Sequence, residues 1–312
     1  MLTRGIRWII KHPDIKRWME EHARAVRFFR ARFSTESFFG FPLTALVFLA
    51  LACVWLFVTV VQDYLAQDLL VAADVRIENL LFAFRSVQGV RVFYVVTLLA
   101  SPITGAAVVA FLGVALYWSR RRMMALLGIL GFVGSQGTTA VLKLLFHRAR
   151  PDLLLRAVSE DSFSLPSGHA TQAAFVLGFL GYLACVRFRG LWSRIAIVSV
   201  VALGVLMMDV SRLYLGVHFF SDVLSGNAIG FFALFVVIIA DQWLHARRGL
   251  GAYPVRVWMI LCAILVAVLS AASLFYADAS PWSDALPRPQ TRAVAPQEVM
   301  TSTIYHPPEQ VP

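Results

Sequence analysis

The residues best suited to chemistry lie between Lys143 and Asp222, in three short polar runs set into apolar sequence. The first holds Lys143, Arg150 and Pro151, the second Pro166, Ser167, Gly168 and His169, and the third Ser211, Arg212, His218 and Asp222. His218 and Asp222 are four apart at a predicted helix start, which puts both side chains on one face. A carboxylate bonded to one imidazole nitrogen fixes the tautomer and leaves the other nitrogen free to attack, so His218 reads as a nucleophile held by Asp222. His169 is a second imidazole, able to deliver a proton to a leaving oxygen and then to activate water. Lys143, Arg150 and Arg212 are fixed cations that suit the oxygens of a phosphate, the guanidinium groups as bidentate forks and the ammonium as a point charge. Ser167 and Gly168 open a predicted helix behind Pro166, where unpaired backbone N–H groups can face an anion. Arg150 stands before a proline, which predicts the end of a helix there. Taken together, this is phosphoryl transfer by histidine with cations in place of a metal.

The elements that must position these groups are membrane helices. The chain has 312 residues, of which 59% are hydrophobic and only 15% charged, and its mean hydropathy is +0.72. That balance places most of it in lipid. Its net charge of +10 comes from 28 basic residues spread between apolar runs, so it marks membrane topology and excludes nucleic acid as a partner. Apolar runs long enough to cross about 30 Å of hydrocarbon occupy Phe41 to Val61, Val92 to Trp118, Met123 to Phe146, Gly168 to Val186, Ile195 to Leu215, Ser221 to Trp243 and Val257 to Ala277. Ser101 and Pro102 predict a bend in the second run. Basic residues cluster before the first run, at Arg120 to Arg122, at Arg187 to Arg194 and at Arg247 to Arg256, which makes that side cytoplasmic. All three polar runs then fall together on the extracytoplasmic side.

The remaining segments carry less chemistry. Residues 1–40 read as a basic cytoplasmic or interfacial segment, and residues 278–312 as a Pro-rich extracytoplasmic tail without regular structure. Gln62 to Arg91 reads as an amphipathic helix on the outer surface, either a plain connector or a lid or lipid entrance, the connector carrying more weight. Cys53, Cys185 and Cys262 each sit in an apolar run and read as small core residues. His147 and Arg148 read as boundary residues, and Asp209, one turn before Arg212, as its ion-pair partner.

The three runs have the forms K-x6-R-P, P-S-G-H and S-R-x5-H-x3-D, in that order, and resemble the signature motifs of the type 2 phosphatidic acid phosphatase superfamily at every motif position. The resemblance implies an all-α, polytopic transmembrane bundle: a six-helix phosphatase core over 41–243, with a seventh span in 244–277 as an addition. It implies a metal-independent enzyme without cofactor that works through a phosphohistidine. Lys143, Arg150, Ser167, Gly168, His169 and Arg212 would surround the phosphate, and His218 with Asp222 would attack it. The implied partners are the bilayer and a lipid phosphate such as phosphatidic acid, phosphatidylglycerol phosphate or undecaprenyl pyrophosphate, met on the outer face of a bacterial inner membrane. Two other readings stand beside hydrolysis: a phosphotransferase that uses the same intermediate, and a lipid-binding or transport protein that uses the cluster as an anion site.

Overall fold

The computed structural model describes residue 17 and residues 20–23, 40–99, 101–188 and 190–248. Its regular elements are α1 (Phe41–Ala66), α2 (Leu69–Ala83), α3 (Val87–Leu99), α4 (Pro102–Trp118), α5 (Arg122–Phe146), α6 (Gly168–Arg187), α7 (Leu191–Tyr214) and α8 (Phe220–Arg248), with one turn of 3₁₀ helix at Leu153–Leu155. The protein is an all-helical integral membrane protein. Among the described residues, six spans are long and apolar enough to cross a bilayer, with α3 and α4 counted as one. The seventh expected span, residues 257–277, the Pro-rich tail and nearly all of the basic N-terminal segment lie outside the described residues. The boundary drawn at 243 falls inside α8, which continues to Arg248.

Several helix ends follow from local chemistry. Asp68 caps α2 by accepting from Leu69 N–H at 2.8 Å, a role short acidic side chains fill at helix starts. Between α3 and α4 the helix stops at Leu99 and restarts at Pro102, where Ser101 Oγ accepts from Thr104 N–H at 3.2 Å. Gln172 of α6 donates to the Ser101 carbonyl at 2.7 Å, a second partner beside Gly105 N–H at 2.9 Å, and so ties the break to α6. The predicted bend is therefore a capped break. α5 ends at Phe146 on His147, whose φ of 45° is left-handed. The expected stop at Arg150 and Pro151 comes too late: the chain has already left the helix, which lets Arg148 and Arg150 point in different directions.

The core joins Val108 and Leu112 of α4, Phe132 of α5, Phe175 and Phe179 of α6 and Leu234 of α8. On the outside, Phe48 and Trp55 of α1 are 71% and 70% exposed. Such surface suits hydrocarbon contact, since lipid has no preference for polar side chains. α6 and α8 approach most closely through glycines. A Cβ on Gly226 would collide with the Ser167 carbonyl and come within 3.0 Å of Ala170 Cβ, and one on Gly230 would collide with the Thr171 carbonyl. Small residues let two backbones meet in this way. Gly226→Ala is expected to destabilise the fold by about 1–3 kcal/mol through overpacking, read as a lower thermal midpoint in detergent.

Candidate active site

The second and third polar runs are joined by backbone. Ser167 N–H donates to the Asp222 carbonyl at 2.9 Å. That amide is therefore occupied and does not face an anion as expected, which leaves the first-turn amides of Gly168 and His169. Ser167 Oγ instead caps α6, accepting from Ala170 N–H at 3.4 Å. Ser167 and Asp222 are both fully buried.

His218 sits in the turn between α7 and α8. Gly216 makes that turn possible with φ of 69°, because a side chain there would be strained and would also strike the Leu155 carbonyl. Arg150 Nη1 lies 3.2 Å from His218 Nε2. A guanidinium can only donate, so Nε2 is the acceptor and the ring proton belongs on Nδ1. On that side Asp222 Oδ2 and Ser164 Oγ each stand 3.5 Å away. Asp222 Oδ2 is held in turn by Phe219 N–H at 2.8 Å and by a short hydrogen bond from Ser164 Oγ. Burial holds the His218 imidazole well below the ordinary histidine range, and the Arg150, Arg212 and Lys143 charges add to that effect. The ring is the free base at neutral pH.

The cations gather around the same point. Arg212 is fully buried and donates through Nη1 to Thr97 Oγ1 of α3 at 2.7 Å. Its Nη2 makes a short ion pair with Glu160, and its Nε has no partner among the described residues. Arg150 donates to the Val217 and Ser162 carbonyls, each at 2.6 Å, and pairs with the other Glu160 oxygen at 3.0 Å. Lys143, in the last turn of α5, donates to the Phe163 carbonyl. His169 lies within electrostatic range of Arg212, His218, Arg150 and Lys143. The structure thus brings Lys143, Arg150, Ser167, Gly168, His169, Arg212, His218 and Asp222 to one end of the bundle.

A family model for the PAP2 superfamily matches residues 122–246. Phosphatidylglycerophosphatase B of Bacillus subtilis (strain 168) is 34% identical over 142 residues, covering 45% of this chain and 69% of that protein. This chain belongs to the PAP2 superfamily. Decaprenylphosphoryl-5-phosphoribose phosphatase of Mycobacterium tuberculosis is 34% identical over 129 residues, 40% of this chain and 66% of that protein. Among solved structures, the first transmembrane PAP2 type phosphatidylglycerolphosphate phosphatase from Bacillus subtilis superposes with a TM-score of 0.55 at 27% identity, over 64% of this chain and 96% of that one. At this level the chain is a membrane-embedded lipid phosphatase of the PAP2 superfamily.

Beyond the PAP2 motifs, the structure adds residues that the sequence reading left out or misplaced. The loop after α5 contributes Glu160, Ser162, Phe163 and Ser164 to the cluster. It is anchored by Ala157 N–H to the Leu215 carbonyl at 2.9 Å and by Ser164 N–H to the Arg148 carbonyl at 2.9 Å. Arg148 is not a boundary residue: it is buried and forms ion pairs with Asp222 at 2.7 Å and with Asp74 of α2 at 2.8 Å. Asp209 does not pair with Arg212. Its Oδ2 accepts from Asn227 of α8 at 2.6 Å, while the Arg212 guanidinium is taken by Thr97 and Glu160.

Glu160 bridges Arg150 and Arg212, occupying donors that the sequence reading assigns to a phosphate. Burial pushes this carboxyl up, but Arg212 and Arg150 more than offset that and hold it below the ordinary glutamate range. A depressed carboxylate contributes stability that is present above its unfolded value and lost as pH falls through its folded one. In Glu160→Gln the competing charge is gone. Vanadate is expected to bind on the order of tenfold tighter, and the loss of thermal stability below about pH 4 is expected to flatten. Unchanged vanadate inhibition would show that the carboxylate and the anion use different donors.

Proposed function

We propose that this protein hydrolyses the phosphomonoester or pyrophosphate group of a membrane lipid through a phosphohistidine on His218. The observation that carries the reading is the His218 ring. It is a buried free base with Nε2 turned toward a guanidinium and Nδ1 toward a carboxylate, amid three cations.

In the first step the Nε2 lone pair forms the N–P bond as the bond to the ester oxygen breaks. His169 gives a proton to that oxygen, and Asp222 holds the Nδ1 proton and balances the charge that develops on the ring. Lys143, Arg150 and Arg212 stabilise the equatorial oxygens, the task a metal performs in other phosphoryl transfers. In the second step His169 takes a proton from water, the new O–P bond forms and the N–P bond breaks, releasing phosphate.

The substrate is read from environment and relatives. The cluster lies at the helix ends opposite the basic turn at Arg120 to Arg122, so the positive-inside rule puts it on the extracytoplasmic face with the N-terminus cytoplasmic. There a lipid can dock its headgroup while its chains stay in the bilayer. The named relatives support a glycerophospholipid phosphate or a polyprenyl-linked phosphate, and the membrane is a bacterial cytoplasmic one. A phosphate-release panel on detergent-purified protein, spanning phosphatidic acid, phosphatidylglycerol phosphate and undecaprenyl pyrophosphate, tests this directly. Activity is expected to resist a chelator and to be blocked by vanadate. Appearance of the label on an added acceptor lipid, with no free phosphate, would convert the hydrolase into a phosphotransferase.

A further inference from the structure

The Asp222 carboxylate is also held by side chains that are not among the motif positions. Arg148 Nη1 lies 2.7 Å from Asp222 Oδ1 and 2.6 Å from Ser221 Oγ, and its Nη2 lies 2.8 Å from Asp74 Oδ2. Asp74 also accepts from Ser221 N–H at 2.9 Å and from Ser221 Oγ at 2.5 Å. The side chains of Arg148, Asp74 and Asp222 are 7%, 1% and 0% exposed. The guanidinium is also covered by rings, Tyr64 of α1 at 4.8 Å and Phe219 at 4.4 Å. Asp74 sits on α2, well before the residues that the family model matches.

Burying one cation between two anions is costly, and packing alone is met as well by apolar side chains. The arrangement has a direction that packing does not need. The guanidinium claims Oδ1 of Asp222, which leaves Oδ2 for Phe219 N–H, Ser164 and His218. A carboxylate fixed through one oxygen presents the other at a set angle, the way outer partners orient ligating groups elsewhere.

We propose that Asp74 and Arg148 are positioning residues for the His218–Asp222 pair, holding the carboxylate ionised and aimed at His218 Nδ1. This rests on the phosphohistidine reading, since it assigns the pair its task. Asp222 is faced by Arg148, by Asp74 beyond it and by His218, with Lys143 and Arg150 within electrostatic range. Removing the Arg148 charge therefore favours the protonated forms of both Asp222 and His218, whereas removing the Asp74 charge disfavours them.

The test is steady-state kinetics on a soluble short-chain lipid phosphate, in detergent, with vanadate inhibition and thermal midpoint measured alongside. In Arg148→Met, kcat is expected to fall about 100-fold, the low end of what an oriented base contributes. KM and the vanadate constant stay within about threefold, because Lys143, Arg150 and Arg212 still grip the anion. The acid limb of kcat moves up by about one pH unit. In Asp74→Asn, kcat is expected to fall about tenfold, as for lost outer partners, and the acid limb moves the other way. Arg148→Lys keeps the charge but cannot bridge two carboxylates, so kcat falls about tenfold with the acid limb in place. If Arg148→Met does not fold, the other two variants decide. Wild-type kcat and an unmoved acid limb in the variants would overturn the proposal, as would kcat, KM and vanadate affinity worsening together with the thermal midpoint. Absence of phosphate release from the wild-type protein would instead remove the phosphatase reading itself.

Discussion

His218→Ala is expected to lower phosphate release by about 10⁴-fold or more, because a nucleophile and its base act as a unit and the remaining groups alone give little. Binding should survive. The cations that hold the headgroup keep their partners: Arg150 retains the Val217 and Ser162 carbonyls, and Arg212 retains Thr97 and Glu160. The variant should also fail to retain label from a phosphate-labelled lipid after acid-free quenching, whereas the wild-type protein retains it. Two results would end the proposed mechanism: hydrolysis at wild-type rates, or label on a residue other than His218. A protein that only binds or transports lipid would lose nothing measurable in either assay.

Arg212→Ala is expected to reduce kcat/KM by about 10³-fold, the scale of a guanidinium that neutralises charge on a transferring phosphoryl group. Its situation makes the figure large. Arg212 is fully buried, its Nε has no partner among the described residues, and its Nη2 meets the Glu160 carboxylate. Thr97→Ala, which removes only the hydroxyl on Nη1, should cost far less, about tenfold, as one buried hydrogen bond to a charged group. Equal losses in the two variants would make Arg212 a packing element and not a phosphate ligand. Because Glu160 loses one of its two cations in Arg212→Ala, the thermal midpoint should also fall. The kinetic loss must therefore be read on protein shown to be folded.

Much of this was legible in the sequence because membrane helices alternate. Once uncharged runs fix the spans, every second turn lies on the same side, and Lys143, His169 and His218 had to meet there. The pair spacing of His218 and Asp222 and the proline, serine and glycine ahead of His169 were equally plain, since caps and four-residue offsets are local. What stayed hidden depends on partners remote in the chain. Arg148 looked like an anchor because a cation at a membrane edge usually is one, and only the fold shows Asp74 waiting 74 residues away. Glu160 lies in an irregular loop beside Asp161, with no period to single it out. Asp209 had the right spacing for Arg212 but a better partner on α8. The Ser167 amide, aimed at an anion on local grounds, was taken by the Asp222 carbonyl for the same reason.

The glycine contacts between α6 and α8 have a geometric consequence. Backbones that touch at Gly226 and Gly230 cannot slide without collision, so the helices bearing His169 and Asp222 travel as one rigid strut. The spacing between the His169 helix and the Asp222 carboxylate is thereby set by backbone contact, apart from the loop of residues 152–164 between α5 and α6 that holds Glu160 against the two guanidinium groups.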